Sequence, residues 1–280
     1  MPLDPRLHAY RPDLADARLK GQVTAARFVE GTPRRIVADG APIKHAPAND
    51  AQQDSEALRG EIFTVFDETP EGWSWGQLQT DNYVGYVPTA ALGALAPEPT
   101  HRITAPRAFI YRGPDMKLPA GGVLSFGSRI TLAGEATTRG TAYRLLASGE
   151  GAIVASQAAP LDAPADADFV TAAERFLNVA YLWGGRTSLG LDCSALVQLS
   201  LAATGTSAPR DTDMQEQTLG TAVTDGGKRG DLVFWKGHVG VLIDGENLLH
   251  ATGHAMAVVI EPLAAVVERA GQPTSVRRLR

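Results

Sequence analysis

The sequence is short of cysteine, of basic charge and of long apolar runs. Its 280 residues include a single cysteine, Cys193, which excludes an internal disulfide framework. No stretch reaches the roughly 20 apolar residues of a membrane-spanning helix, and the polar, proline-containing N-terminus lacks a signal-peptide pattern. We therefore expect a cytoplasmic protein with no membrane partner.

The charge balance excludes a further class of partner. The chain has 26 Lys and Arg against 31 Asp and Glu, for a net charge of -5, so nucleic-acid binding is not indicated. A content of 44% hydrophobic and 20% charged residues is typical of a folded globular protein. The length favours two or three domains.

Changes in residue periodicity divide the chain into four parts. Residues 1–34 predict an extended arm and a short helix from Asp13 to Phe28. Residues 35–98 contain short alternating strands, at residues 61–66, 72–78 and 83–88, separated by Asp, Gly, Pro and Asn. This pattern predicts a small β-barrel. Residues 99–160 repeat this rhythm more weakly and predict a second, diverged copy of the barrel. An acidic, proline-containing linker then opens the last domain, residues 161–280.

The last domain changes from helical to strand periodicity. Apolar residues at helical spacing begin at Phe169, and a second apolar helix begins at Cys193 and ends near Gly205, after a loop over residues 186–192. Four strands follow between Asp231 and Ile260, two of them joined by an Asp244-Gly245 hairpin turn. Helices followed by antiparallel strands predict an α+β domain.

The position of Cys193 suggests a nucleophile. A thiol in the first turn of a helix meets unpaired backbone N–H groups and the positive end of the helix dipole, so we expect a stabilised thiolate. Asp192, just before it, is a candidate N-cap. The alternative for Cys193 is a small buried apolar side chain.

Two histidines form a candidate base and orienting group for this cysteine. His238 opens one strand and His250 ends the next, and both lie six residues from position 244 in the hairpin turn. This spacing predicts that they are cross-strand neighbours, with His238 facing Cys193 and His250 fixing its tautomer. A metal site formed by His250 and His254 is poorly supported, because that pair would need a helix.

Several separated motifs together resemble the NlpC family of papain-like bacterial cysteine peptidases, which cut cell-wall peptides. The resemblance covers about residues 169–262, and Ala195 departs from it at a position where the family usually has glycine. The motifs, in order, are Tyr181-x-Trp183-Gly184-Gly185, Asp192-Cys193-Ser194, Pro209-Arg210-Asp211, Gly230-Asp231-Leu232-Val233-Phe234, His238-Val239-Gly240-Val241 and His250-Ala251.

The resemblance implies a catalytic triad of Cys193, His238 and His250 acting through a thioester, with no cofactor and no metal. It also implies that the Tyr181 hydroxyl and the Cys193 backbone N–H stabilise the oxyanion. We interpret Trp183 as a wall of the substrate groove. The expected fold is therefore a papain-like α+β domain preceded by two SH3-like barrels.

Two bacterial SH3-like barrels before such a domain resemble the γ-D-glutamyl-L-diamino acid endopeptidases. This implies a murein tripeptide or tetrapeptide with a free N-terminal L-Ala as substrate, cut after γ-D-Glu during cell-wall peptide recycling. An ammonium group needs carboxylates and other acceptors around it. The implied substrate-binding residues are Asp192, Ser194, Arg210 and Asp211 in the peptidase domain, and Tyr83 with either Glu56 or Glu61 in the first barrel.

Within that set, we expect Arg210 to pair with a substrate carboxylate. Glu56 is slightly preferred over Glu61 as the cap of the substrate amine. The alternatives to this function are a cell-wall-binding module with weak or lost peptidase activity, an exported hydrolase of intact peptidoglycan, and an amidase or acyltransferase that uses the same thioester chemistry.

Overall fold

The computed structural model describes residues 3–163, 165–225 and 227–279. The chain divides into two compact units, residues 1–163 and residues 164–280. In the described part of the chain, no helix is long and apolar enough to span a membrane.

The N-terminal arm contains strands instead of the predicted helix from Asp13 to Phe28. Strand β1 (Leu14–Asp16) pairs in parallel with β2 (Arg27–Val29), and only the three residues Ala17–Leu19 between them form a 3-10 turn. All three residues of β1 are buried, whereas a surface helix would bury one stripe only. The Asp16 carboxylate also caps the short turn by accepting a backbone N–H, which favours the turn over a continuing helix.

The first barrel region forms a seven-stranded sheet in the order β5-β4-β8-β7-β6-β3-β9. The strands predicted near residues 61–66, 72–78 and 83–88 are confirmed as β6, β7 and β8. The strand bounds are β3 (Thr32–Ile36), β4 (Gly40–Lys44), β5 (Gln53–Leu58), β6 (Ile62–Glu68), β7 (Trp73–Leu78), β8 (Val84–Pro88) and β9 (Leu92–Gly93).

The second barrel region repeats this topology across two sheets, in the orders β12-β11-β16-β15-β14 and β13-β10-β17. The order equals that of the first region if the counterpart of β6 is divided into β13 and β14. The strand bounds are β10 (His101–Ile103), β11 (Arg107–Tyr111), β12 (Ala120–Ser125), β13 (Arg129–Ile130), β14 (Leu132–Thr138), β15 (Thr141–Leu146), β16 (Ala152–Val154) and β17 (Ala158–Pro160).

The two cores support the predicted duplication. Five buried core residues of the first region have a buried counterpart 67 positions later in the second. The residues Ile36, Ala41, Ile43, Ala57 and Phe63 correspond to Ile103, Ala108, Ile110, Leu124 and Ile130. Equal spacing and equal strand order agree with the predicted diverged copy, which stays a prediction.

The second unit is an α+β domain, as predicted, with a six-stranded sheet in the order β20-β25-β21-β22-β23-β24. The segment expected to be a loop before the cysteine contains a small hairpin, β18 with β19. The bounds are α1 (Phe169–Glu174), β18 (Arg186–Thr187), β19 (Gly190–Leu191), α2 (Cys193–Ala203), α3 (Thr212–Thr218), β20 (Thr221–Ala222), β21 (Leu232–Trp235), β22 (His238–Leu242), β23 (Asn247–Thr252), β24 (Ala257–Pro262), α4 (Leu263–Ala270) and β25 (Ser275–Arg278).

Helix α2 packs its apolar side chains against the sheet. Cys193 and Val197 share one buried cluster with Val239 and Val241 of β22. The helix ends as predicted, with Gly205 at a φ of 79°, a left-handed conformation that glycine adopts without strain. The first residue of α2 is thereby fixed beside the start of β22.

The register of the β22–β23 hairpin differs by two residues from the prediction. Val241 pairs with Leu249 and Leu242 with Leu248, so the hairpin centres on residue 245 instead of 244. The Asp244 carboxylate accepts the backbone N–H groups of the two residues at the far end of the turn, which stabilises a longer loop. A slip of two residues preserves the sheet face, so His238 and His250 become diagonal neighbours.

Candidate active site

Cys193 is the first residue of α2, and Asp192 is the N-cap. The Asp192 carboxylate accepts the backbone N–H of Ala195, and its backbone is extended, which confirms the predicted cap. The Cys193 side chain is 7% exposed. The backbone N–H groups of Val239 and Ser194 both reach its sulfur.

The environment of the thiol corrects the expectation of a stabilised thiolate. Burial raises the pKa of Cys193 to about 12, and the nearby Asp192 carboxylate acts in the same direction. Hydrogen bonds from the Val239 and Ser194 N–H groups, together with Arg210, lower this pKa but do not offset the burial. The free-energy cost of desolvating a thiolate here exceeds the stabilisation that the first turn of α2 gives it. The resting side chain is therefore a neutral thiol.

The two histidines meet as predicted, although at a different register. His238 Nε2 lies 2.8 Å from His250 Nδ1, and the ring centroids are 5.1 Å apart. Burial lowers the pKa of His238 to about 4, with a smaller contribution from His250. Burial also lowers the pKa of His250, so both rings are neutral near pH 7. Over residues 165–225 and 227–279, no hydrogen bond joins the His238 ring to the Cys193 sulfur.

A carboxylate that sequence reasoning missed lies behind the histidine pair. Glu261 Oε2 is 2.8 Å from His250 Nε2, and Arg269 of α4 donates to both oxygens of Glu261, at 3.2 and 2.8 Å. The sequence offered one signal for this residue, a glutamate directly after the apolar run Val258-Val259-Ile260. On β24, His250 pairs with Val259, and Glu261 lies two residues further along. That offset places Glu261 on the same sheet face as His250.

Asp192 and Ser194 belong to a buried ionic cluster with Arg210. Arg210 is 1% exposed, and its two terminal nitrogens contact the two Asp192 carboxylate oxygens at 3.0 and 2.7 Å. The Ser194 hydroxyl accepts from Arg210 and donates to Asp192. Gly184 and Ala195 donate backbone N–H groups to the same carboxylate. Asp192 thus accepts five hydrogen bonds and has its charge balanced by Arg210.

This cluster corrects the role expected for Arg210. A guanidinium that is almost fully buried and bound in a fork to Asp192 cannot also pair with a substrate carboxylate, because its donors are directed at protein atoms. Arg210 instead fixes the residues on either side of the nucleophile. Asp211 is the first residue before α3, and its backbone carbonyl accepts the N–H of Gln215.

The segment before the cysteine contributes Tyr181 and Trp183. The pKa of Tyr181 is raised to about 12, first by burial and then by the nearby Cys193 and Asp192, which places the phenol close to the thiol. Trp183 is 60% exposed, as a groove wall requires. Gly184 has a φ of 71°, and this left-handed turn directs its N–H at Asp192.

The predicted site residues of the first barrel differ in exposure. Tyr83 is 5% exposed and belongs to the core cluster of that barrel. Glu61 is also 5% exposed, and its carboxylate accepts the Leu58 N–H in a turn. Glu56, on β5 opposite Pro42, is only half-buried. Of the two glutamates, Glu56 is the more accessible to a ligand.

The His250–His254 pair, poorly supported as a metal site by the sequence, lies at the end of β23. Across residues 3–163, 165–225 and 227–279, no group of three or more His, Cys, Asp or Glu side chains could hold a metal ion. His254 lies beyond the end of β23 in a turn, where its N–H donates to the Thr252 hydroxyl.

Fold and site together define a papain-like cysteine peptidase domain that follows SH3-like barrels. The profile of the NlpC/P60 family matches residues 178–269. The profile of the bacterial dipeptidyl-peptidase Sh3 domain matches residues 45–92. Residues 178–269 therefore form a domain of the NlpC/P60 family, and residues 45–92 form a bacterial SH3 domain.

Individual relatives agree with this assignment. The chain is 27% identical over 242 residues to a γ-D-glutamyl-L-lysine dipeptidyl-peptidase of Bacillus cereus, covering 75% of this chain and 70% of the relative. It is 34% identical over 102 residues to the Bacillus subtilis enzyme of the same name, covering 33% of this chain and only 34% of that relative. The fold matches a crystal structure of an NlpC/P60 family protein from Bacillus cereus, with a TM-score of 0.73, 22% identity, and coverage of 88% and 99% of the two chains.

Proposed function

We propose that this protein is a cysteine endopeptidase that hydrolyses the bond between γ-D-Glu and a diamino acid in murein peptides with a free N-terminal L-Ala. The observation that carries the proposal is the arrangement around Cys193. Its thiol lies at the start of α2 against the N–H of Val239. Val239 follows His238 on β22, and the Nε2 of His238 is bound to His250. The names of the two Bacillus relatives support the γ-D-glutamyl bond as the target.

The proposed reaction begins from a neutral thiol and a neutral imidazole. His238 Nε2 is engaged by His250, so its Nδ1 is the nitrogen that would take the Cys193 proton. The sulfur attacks the γ-carbonyl carbon as the proton moves, since proton removal and bond formation then avoid a free buried thiolate. A contact between sulfur and Nδ1 would tighten in the substrate complex, as catalytic hydrogen bonds commonly do.

Charge that develops on the carbonyl oxygen is assigned to two donors. The Cys193 backbone N–H lies in the first helical turn, where no intrahelical acceptor exists, and the Tyr181 phenol stays protonated because of its raised pKa. The His238 imidazolium then gives its proton to the leaving amine as the C–N bond breaks. Water attacks the resulting thioester with His238 as base, releasing L-Ala-D-Glu and restoring the thiol.

Selection of a free amino end is a second part of the proposal. The Asp192–Arg210 pair is neutral and saturated, so its role is to position Ser194 and the backbone around the nucleophile. Glu56, the half-buried carboxylate of the first barrel, is the proposed cap of the substrate ammonium. Tyr83 is the other residue of this barrel that is proposed to bind the substrate. Peptide recycling and a cytoplasmic location complete the proposal.

The test compares cleavage of L-Ala-γ-D-Glu-diaminopimelate by the wild type and Cys193→Ala, followed by mass spectrometry. We expect no L-Ala-D-Glu from the variant, with an unchanged circular dichroism spectrum and melting temperature. Undiminished hydrolysis by Cys193→Ala would refute the cysteine mechanism. Binding of the peptide without cleavage by the wild type would favour a cell-wall-binding module.

A second arm tests the substrate's amino end. Acetylating the L-Ala nitrogen removes the positive charge, and we expect turnover of the blocked peptide to fall steeply. Glu56→Gln should weaken the preference for the free amine, and Glu61→Gln serves as the matched control within the same barrel. Equal cleavage of free and acetylated peptides, or of intact peptidoglycan, would contradict the proposed selection and favour an exported hydrolase.

A further inference from the structure

A chain of hydrogen bonds crosses three adjacent strands on one face of the sheet of the second unit. It runs from His238 on β22 to His250 on β23, at 2.8 Å, and from His250 to Glu261 on β24, at 2.8 Å. Arg269 of α4 closes the chain by binding both Glu261 oxygens. His238, His250 and Glu261 lie on three consecutive strands of the sheet, so the strand order fixes the order of these three residues.

We propose that Glu261, held by Arg269, is a positioning residue that sets the tautomers of both histidines and leaves Nδ1 of His238 as the basic nitrogen. This inference rests on the proposed function, because it assigns Glu261 a role only if His238 acts as the base. Glu261 does not touch the substrate or the reacting atoms, and it acts entirely through His250.

The direction of each hydrogen bond follows from the acceptor at the end of the chain. The pKa of Glu261 is lowered, chiefly by Arg269, so its carboxylate is ionised and only accepts. His250 Nε2 must therefore carry a hydrogen, which leaves Nδ1 as an acceptor. His238 Nε2 must then carry a hydrogen to donate to it, and the lone pair of His238 is left on Nδ1.

Arg269 has a second effect, because the chain works only while His250 is neutral. A doubly protonated His250 would have no lone pair for His238. Three side chains shift the pKa of His250, and two further titratable side chains lie near it. Burial lowers its pKa most, Glu261 raises it, and Arg269 and His254 lower it, while His238 and Lys236 line the same cavity of about 380 Å³ beside it. By balancing the Glu261 charge, Arg269 lets the carboxylate orient His250 without protonating it.

A merely structural role predicts a different outcome. Glu261 and Arg269 also tie α4 to β24, and loss of that tie alone would lower stability while leaving the histidine tautomers unchanged. Their side chains are 22% and 32% exposed, so either can be replaced without leaving a fully buried, uncompensated charge. Tautomer and stability can therefore be measured separately.

The test uses Glu261→Leu, which removes the acceptor, and Glu261→Gln, which keeps an acceptor oxygen and removes the charge. Glu268→Leu, at an exposed position of α4 next to Arg269, is the matched control. Histidine side chains are labelled with ¹⁵N, and their NMR shifts report which ring nitrogen carries hydrogen. In the wild type we expect both His238 and His250 as the Nε2–H tautomer.

In Glu261→Leu we expect His238 to populate the Nδ1–H tautomer and kcat to fall by about 10- to 100-fold, the usual scale for losing a group that orients a functional histidine, with KM changed less than about twofold. In Glu261→Gln we expect the titration midpoint of His250 to move to lower pH. Unchanged tautomers and kcat in Glu261→Leu would overturn the inference. If that variant does not fold, an unchanged His250 midpoint in Glu261→Gln overturns it.

Failure of this inference is distinguishable from failure of the proposed function. The NMR measurement needs no substrate, so its result stands whatever the enzyme cuts. If Cys193→Ala still cleaves the peptide, the proposed function fails. If cleavage depends on Cys193 but both Glu261 variants match Glu268→Leu in kcat and tautomer, the positioning role alone fails.

Discussion

The protonation state of the resting nucleophile can be tested directly, because Cys193 is the only thiol in the chain. The perturbation is a change of pH during alkylation by iodoacetamide, which reacts with the thiolate and not the thiol. The structure predicts that Cys193 remains a neutral thiol beside a neutral His238 at pH 7. An activated thiolate–imidazolium pair would instead be alkylated at a rate that does not change with pH near neutrality.

The magnitude follows from the pKa. Burial raises the pKa of Cys193 from the ordinary 9.0 to about 12. Each pKa unit is a tenfold change in ionised fraction, so three units make the thiolate about 1,000-fold scarcer at pH 7 than in an exposed cysteine. Alkylation should therefore be slower by about that factor and should rise roughly tenfold per pH unit from pH 6 to pH 10.

The assay follows incorporation by intact-protein mass spectrometry, with the urea-unfolded chain as the reference for an exposed thiol. Restricted access to a side chain that is 7% exposed would lower every rate equally, so the slope against pH carries the conclusion. His238→Ala is the control, and we expect it to leave the slope unchanged below pH 8. A rate that is flat from pH 5 to pH 8 and loses its plateau in His238→Ala would refute the neutral pair.

Three further predictions concern stability and turnover. Arg210→Gln leaves Asp192 buried without its counter-charge and should lower the free energy of unfolding by about 3–5 kcal/mol, measured by calorimetry. If the stability changes of Arg210→Gln and Asp192→Asn simply add in the double variant, the two residues are not a coupled pair. The pKa of His238 falls from 6.5 to about 4 on folding, so the unfolded chain binds a proton at a higher pH than the folded one. The free energy of unfolding should therefore drop by about 3 kcal/mol as pH falls from 6.5 to 4. The same dependence of the unfolding free energy on pH in His238→Gln would exclude His238 as its origin. Tyr181→Phe should lower kcat by about 10²- to 10³-fold with little change in KM, the scale of losing one oxyanion donor, and an unchanged kcat would remove Tyr181 from the proposed mechanism.

Much of the fold could be predicted from the sequence because strand and helix periods are local signals. The strands β6, β7 and β8 are short runs rich in apolar and aromatic residues between Gly, Asp and Asn turns, and α2 follows the capping Asp192. The helix predicted in the N-terminal arm was wrong, because periodicity cannot show that all three residues of β1 are buried. That burial is decided by tertiary packing, which overrides local propensity.

The site was predictable only where spacing along the chain carries the geometry. His238 and His250 could be paired because a hairpin brings them together, although the Asp244 side chain lengthened the turn and shifted the register by two. Glu261 could not be paired in the same way, since its link to His250 depends on the register of a further strand. The burial that controls the Cys193 pKa, and the buried position of Arg210, likewise depend on neighbours distant in sequence.

The repeated barrel implies that the two copies could be recombined, and that the hybrids would not be equal. A crossover after β5 into β13 keeps the full strand order. The core of this hybrid would combine Ala57 with Ile130. The first barrel combines Ala57 with Phe63, and the second combines Leu124 with Ile130. That hybrid core is short of volume, while the reciprocal one, with Leu124 and Phe63, is overfilled. On the predicted duplication, the side-chain sizes in the two cores differ in a compensating way, each pair matched within its own core.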